Sequence, residues 1–209
     1  GTTGRPKGVP IRQKSVINLL RSMACKPGMS ADDTLLAVTT PAFDIAGLEI
    51  FLPLLTRGTL VLAEETDIKD GAALSNLIAA TGATILQATP ATWRLLLEGG
   101  WEAPKGFKML CGGEELDLAL ARRLLDGEGL LWNMYGPTET TIWSLSAEIL
   151  QEDLDAGQLP LGDPIDNTQI LICGTDNNPV PPGFCGELWI GGLGLSPGYL
   201  ERDDQDILG

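Results

Sequence analysis

The chain has 209 residues, 44% of them hydrophobic, and its 14 Lys and Arg stand against 28 Asp and Glu, a formal charge of −14. That composition excludes a disordered segment, and its average surface repels nucleic acid and anionic membranes, so a bound polyphosphate needs a local lysine or a divalent metal. Histidine is absent, which removes Ser-His-Asp catalysis, Cys-His catalysis and histidine zinc sites together.

The chain opens on "GTTGRPKGVP". Gly1, Gly4 and Gly8 free the backbone, Thr2 and Thr3 offer hydroxyls and Lys7 offers a charge, a mixture suited to phosphate. It is not a Walker A loop, because Pro6 precedes Lys7 and Gly8 follows it. "SVINLLRSM" predicts a helix with Val16, Leu19, Leu20 and Met23 on one face and Ser15 as cap. "LLAVTT" predicts a buried strand and "LEIFLPLL" a buried helix, with Pro53 in its first turns or kinking it. "TLVLA" predicts another strand.

The middle of the chain alternates regularly. "AALSNLIAATG" predicts a helix stopped by Gly82, "ATILQA" a strand, and "TPATWRLLLEGG" a helix capped by Thr89 with Pro90 at its first position. "FKMLC", "LDLALARRLLDG" and "LLWNMYG" continue as strand, helix and strand. Alternating βαβ units require a parallel sheet with flanking helices, so the fold class is α/β. From about Gly157 the chain turns rich in Pro, Gly, Asp and Asn, and "TQILIC" and "GELWIGG" predict an antiparallel hairpin or part of a small β-barrel. A boundary near Asp155 divides an α/β core, 1–155, from a β-rich unit, 156–209.

Cys25, Cys111, Cys173 and Cys185 form no CxxC pair, which fits a reducing, cytoplasmic setting rather than a disulfide scaffold. No apolar run approaches the roughly 18 residues a membrane span needs, and no charged-then-apolar leader precedes the first motif.

Ligands of open α/β sheets bind beyond the carboxyl ends of the strands. Those ends carry "PAFD" with Asp44, then Gln87, then "CGGEE", then "YGPTETT". In "NMYGPTETT", Tyr135 supplies a stacking face, Gly136 and Pro137 a rigid turn, Thr138 a hydroxyl for a phosphate oxygen and Glu139 a hard oxygen for Mg²⁺. With Lys7 these are the parts of a nucleotide triphosphate site.

The sequence resembles the adenylation domains of nonribosomal peptide synthetases, within the superfamily of adenylate-forming enzymes. "GTTGRPKGV", "FDIAGLEIFLPLLTRGTLVL", "NMYGPTETT" and "GELWIGGLGLSPGYL" match the family's motifs in order and cover nearly the whole chain. The resemblance implies joining of a carboxylate to the α-phosphate of ATP with release of pyrophosphate. The acyl group then passes to the phosphopantetheine arm of a peptidyl carrier domain among neighbouring synthetase modules. It further implies the large N-terminal subdomain of such an enzyme, followed by part of a small antiparallel barrel.

By the same resemblance Thr2, Thr3, Gly4 and Lys7 hold the β- and γ-phosphates, Thr138 the α-phosphate and Glu139 the Mg²⁺. Tyr135 stacks on adenine, with Asn133, Gly113 and Glu114 lining the base. Lys7, Thr138 and Glu139 are the candidate catalytic residues. The substrate pocket transfers to Asp44, Ile45, Leu48, Gln87, Leu110, Gly112, Met134, Ile142 and Trp143, with Asp44 as a buried carboxylate gripping an α-amino group. Met134 and Trp143 are bulky, and with Leu48 and Gln87 they leave room for a small side chain. The combination resembles the signature of glycine-activating domains, with alanine second. Ala46 stands where the family often has Ser.

The resemblance also makes the chain an internal fragment. The family's ribose-binding Asp, its hinge and its mobile C-terminal subdomain would lie beyond Gly209, and the strand leading into the phosphate loop before Gly1. That leaves Thr2, Thr3 and Lys7 unanchored and the fragment inactive alone. The alternatives are an acyl- or aryl-CoA ligase of the same superfamily and a non-catalytic nucleotide-binding fragment.

Overall fold

A computed structural model describes residues 7–200. Thr2, Thr3 and Gly4 lie outside the described residues. In chain order the elements are α1 (Gln13–Met23), β1 (Thr34–Ala37), α2 (Ala46–Thr56), β2 (Thr59–Leu62), α3 (Glu65–Ile68), α4 (Gly71–Thr81), β3 (Ile85–Ala88) and α5 (Pro90–Glu98). There follow β4 (Lys108–Gly112), α6 (Leu118–Leu125), β5 (Leu130–Tyr135), β6 (Leu145–Ile149), α7 (Gln151–Ala156), β7 (Asp163–Pro164), β8 (Thr168–Cys173) and β9 (Glu187–Gly192).

The first seven strands form one sheet in the order β2-β1-β3-β4-β5-β6-β7, and β8 pairs with β9. Strands β1 to β5 are mutually parallel, as βαβ alternation requires, whereas β6 and β7 add antiparallel at one edge. The main sheet therefore runs on to Pro164 before the antiparallel β8–β9 hairpin begins.

Both faces of the sheet are covered, and the pleat sorts the side chains. Leu36, Leu86, Met109, Cys111 and Leu131 point to one face, where Leu74, Ile78, Trp93, Leu96, Leu120 and Leu124 of α4, α5 and α6 pack on them. Their neighbours Leu35, Ile85, Leu110, Trp132 and Met134 point to the other, against Leu19, Leu20, Met23, Leu48 and Leu52 of α1 and α2. Alternation with apolar residues on both faces is why these strands read as continuous hydrophobic runs.

Local chemistry ends the helices much as expected. Asp70 and Asp117 cap α4 and α6, accepting from Ala73 N–H and Leu120 N–H at 2.8 Å each. Gly82 stops α4 in the left-handed conformation at φ 62°. Three expectations are corrected. Ser15 is not a cap: α1 starts two residues earlier, and the Ser15 hydroxyl donates to the Leu193 carbonyl at 2.7 Å, tying the helix to the segment after the hairpin. Pro53 lies late in α2, not in its first turns. That helix is also buried on one face only, since Phe51, Leu54 and Leu55 are exposed.

At the amino ends of the strands, far from the crevice, Asp33 accepts from Thr84 Oγ1 at 2.8 Å and pairs with Lys108 at 3.5 Å. Desolvation pushes the Asp33 carboxyl up. The Ser30 amide, the Thr84 hydroxyl, the Lys108 charge and the Ser30 hydroxyl outweigh it and hold Asp33 below its ordinary value.

All four cysteines are free; Cys25 and Cys185 are exposed, Cys111 and Cys173 buried. Burial pushes the Cys111 thiol up to about 12. At neutral pH a thiol reagent is expected to modify Cys25 and Cys185 rapidly and to spare Cys111 and Cys173 until denaturant is added. Mass spectrometry of the labelled peptides checks this. Among the described residues no helix is long and apolar enough to cross a membrane.

Candidate functional site

The strand order turns outward in opposite directions from β1 and β3: β1 connects through α2 to β2 on one side, and β3 leads on to β4 and β5 on the other. Such a switch point leaves a crevice at the carboxyl ends of the strands. Two adjoining cavities open there. The first, of about 720 Å³, is lined by Gly113, Glu114, Asn133, Met134, Tyr135 and Trp143, together with Leu116, Leu159 and Leu161. The second, of about 470 Å³, is lined by Thr39, Phe43, Asp44, Ile45, Pro137, Thr138 and Trp143, and shares Gly113, Glu114 and Gly136 with the first.

In the first cavity Tyr135 keeps its ring accessible at 38% exposure, as a stacking platform needs, and leucines close the far side. Asn133 is buried and donates to the Pro160 carbonyl at 2.9 Å, which ties β5 to the chain preceding β7. In the second cavity the Thr138 hydroxyl donates to Asp44 Oδ2 at 2.6 Å. Asp44 is exposed, which corrects the expectation of a buried carboxylate. It sits on the turn between β1 and α2, where solvent and a hydroxyl satisfy it, so desolvation awaits a ligand. It does not cap α2 either: the N-cap is Ile45, which makes no side-chain bond.

Glu139 lies beside the segment that follows β9. Its Oε1 accepts from Tyr199 Oη at 2.6 Å and its carbonyl from Ser196 N–H at 2.7 Å. Lys7 is exposed, and its ammonium stands 5.0 Å from the centroid of the Tyr199 ring, within cation–π range. Leu200 N–H donates to the Gly8 carbonyl at 2.8 Å. The end of the opening loop thus meets downstream chain through Lys7 and Gly8. Among the described residues no three His, Cys, Asp or Glu cluster to cage a metal. A single carboxylate such as Glu139 suits Mg²⁺, which binds through one or two carboxylates and completes its shell with water and substrate phosphates.

The remaining predicted pocket residues form the wall behind the cavities. Leu48, Leu110 and Ile142 are buried with Met134 and Trp143 in one cluster and line neither cavity. Gly112 leaves room for the indole: a Cβ there would stand 2.5 Å from Trp143 Cη2 and 2.6 Å from the Met134 carbonyl. The turn before Trp143 is strained. Thr141 and Ile142 hold φ of 68° and 67°, rare for β-branched residues, and Trp143 N–H closes on the Thr141 carbonyl at 2.9 Å. Thr141 Oγ1 donates to the Gly194 carbonyl at 2.6 Å and Gly136 packs under Ile142, which keeps the turn in place.

Sequence reasoning missed Glu49, which is fully buried in the first turn of α2. Its Oε2 accepts from the Val38 and Thr39 amides at 2.9 and 3.0 Å, and its Oε1 from the Thr39 hydroxyl and from Gln87 Nε2 at 2.5 and 2.8 Å. Burial pushes the Glu49 carboxyl up; the Thr39 hydroxyl and amide, Gln87 and the Val38 amide oppose it. A lone carboxylate in the apolar run "LEIFLPLL" was the available signal.

The comparisons with known proteins agree on this architecture. A profile described as AMP-binding enzyme matches residues 1–200. The chain is 46% identical over 204 residues to a dimodular nonribosomal peptide synthase of Bacillus subtilis (strain 168), covering 98% of this chain and 8% of that one. It is 36% identical over 211 residues to tyrocidine synthase 3 of Brevibacillus parabrevis, covering 98% of this chain and 3% of that protein. Among solved structures it superposes, with a TM-score of 0.90 and 46% identity, on a holo four-domain nonribosomal peptide synthetase bound to AMP and glycine, covering 96% of this chain and 15% of that one. The chain therefore spans a small part of the length of the synthetases it matches. With the family profile spanning almost all of it and the fold shared throughout, the chain belongs to the AMP-binding enzyme family.

Proposed function

We propose that this chain forms the nucleotide- and amino-acid-binding face of an enzyme that activates a small amino acid, glycine first and alanine second, as its aminoacyl-AMP. The observation that carries the reading is the 2.6 Å contact between Asp44 and Thr138. An acceptor for an ammonium group and a hydroxyl for a phosphate oxygen meet at one point of the crevice, where a substrate carboxylate would have to approach an α-phosphorus. A carboxylate oxygen attacks that phosphorus, the bond to the bridging oxygen of the β-phosphate breaks, and pyrophosphate leaves. Such chemistry depends on alignment and charge neutralisation rather than on a covalent enzyme intermediate.

The roles are those the family resemblance implies, and the positions of the described residues support them. Asp44 holds the α-amino group, Thr138 a phosphate oxygen and Lys7 the charge of the phosphate chain, a task that Thr2, Thr3 and Gly4 share. Glu139 would hold Mg²⁺, which neutralises phosphate charge when bound. Tyr135, Asn133, Gly113 and Glu114 take the base in the larger cavity. Met134 and Trp143, with Gly112 and Ile45, bound the space left for a side chain. The synthetase solved with AMP and glycine, at 46% identity, supports the small substrate. We also propose the division between α/β core and β-rich unit near residue 155, with β7 returning from the second unit to pair at the edge of the main sheet, and take a phosphopantetheine-bearing carrier domain in the longer protein as the acceptor.

Exchange of labelled pyrophosphate into ATP, measured on the parent synthetase against all amino acids, tests this. Glycine is expected to drive exchange best and alanine next. Exchange driven as well by acids that carry no amino group would overturn the amino-acid reading.

A further inference from the structure

Trp143 is part of the wall shared by both cavities, and its orientation is set by a buried chain of hydrogen bonds that runs through Gln87 of β3 to Glu49 of α2 on the same face of the sheet. The indole Nε1–H donates to Gln87 Oε1 at 2.8 Å. Gln87 Nε2 donates in turn to Glu49 Oε1 at 2.8 Å and to the Ile45 carbonyl at 2.9 Å. All three side chains are at most 1% exposed. By contrast, the buried indole nitrogens of Trp93, Trp132 and Trp189 have no hydrogen-bond partner among the described residues.

The polarity of this chain has one consistent direction. Glu49, with four donors aimed at its two oxygens, is an acceptor only, and so is the Ile45 carbonyl. They compel Gln87 to present its NH₂ to them and its oxygen to the indole. Rotating the amide by half a turn would set oxygen against the carboxylate and carbonyl, and NH₂ against the indole N–H. Every one of the three contacts would become repulsive or unmade, which buried groups cannot tolerate cheaply. The indole ring end then lies where a Cβ on Gly112 would be, 2.5 Å away, so the ring has no slack on that side.

We infer that Glu49 is a positioning residue for substrate selection: through Gln87 it locks Trp143 as the wall that excludes side chains larger than the smallest. The inference rests on the proposed amino-acid activation for its consequence, and on the hydrogen-bond chain alone for its mechanism. Glu49 touches no substrate; it acts by fixing the residue that does.

The test uses the parent synthetase carrying Glu49→Gln, which keeps the side chain's shape but places a second NH₂ among donors. Two readouts separate the two claims. In protein labelled with 5-fluorotryptophan, the Trp143 resonance, assigned by its loss in Trp143→Phe, is expected to shift and broaden in Glu49→Gln. In pyrophosphate exchange, the kcat/KM ratio of alanine to glycine is expected to rise about tenfold or more, since one methyl in a tight pocket is worth about 10- to 200-fold. KM for ATP should stay put.

An unchanged Trp143 resonance overturns the inference whatever the activity, and so does an equal loss of activity with both amino acids. If the unmodified synthetase activates no amino acid, the proposed function fails, and the inference is judged on the resonance. Should Glu49→Gln not accumulate as folded protein, Gln87→Met, close to Gln87 in bulk and without its amide, breaks the same chain; an unchanged ratio there overturns the idea. Glu49→Gln added to Trp143→Phe should raise the ratio little further, because both cut one chain of contacts.

Discussion

Asp44→Ala in the parent synthetase is expected to lower kcat/KM for the amino acid by about 30- to several-thousand-fold, the equivalent of roughly 2–5 kcal/mol for losing one partner of a desolvated charge pair. Stability should change by less than about 0.5 kcal/mol, because Asp44 is exposed before a ligand arrives and Thr138, its side-chain partner among the described residues, is exposed too. Asp44→Asn sharpens the test. It retains an oxygen for the Thr138 hydroxyl and removes only the charge, so a loss close to that of alanine would locate the effect in the ammonium contact. Steady-state pyrophosphate exchange with varied amino acid measures both. Activity with the amino acid retained in both variants would mean that Asp44 does not grip the amino group, and that part of the reading would fall.

The second large effect belongs to Trp143→Ala. The indole is 1% exposed, and removing a buried aromatic of that size costs about 3–5 kcal/mol, with the unpaired Gln87 Oε1 adding to it. A lower melting temperature is therefore expected. The same change merges space from the two cavities, both of which the indole lines. Amino acids larger than alanine should gain relative to glycine by about tenfold or more in kcat/KM. A profile that stays centred on glycine while the protein loses stability would show Trp143 to be a core residue that happens to border the site.

These two residues were legible in the sequence to different degrees. Asp44 stands out because it closes the turn "PAFD" after a strand-like run and precedes an apolar helix, which is where an open α/β sheet puts its ligand groups. Its exposure was not legible, since a residue's solvation depends on how far a turn projects, and no local pattern encodes that. Trp143 could be a core residue or a wall with equal right until β5 and the turn over Gly136 are placed in space. Glu49 illustrates the remaining gap. Charge in an apolar helix announces that something must pair with it, but its partners arrive from the segment just after β1, Val38 and Thr39, and from β3, Gln87.

The α/β class, the parallel run from β1 to β5 and the hairpin of β8 and β9 follow from local periodicity, because the pleat and the helical turn impose their spacing on neighbouring residues. The motifs at the strand ends likewise mark the crevice and its chemistry, since βα turns carry their polar residues in line. The antiparallel edge strands β6 and β7, the contact of Asp44 with Thr138 and the chain from Glu49 to Trp143 do not follow that way. The last two join residues far apart in the chain, and β6 folds back on β5 over a turn whose close fit Gly136 permits. Packing of that kind is a property of the assembled core, where every contact depends on several others at once.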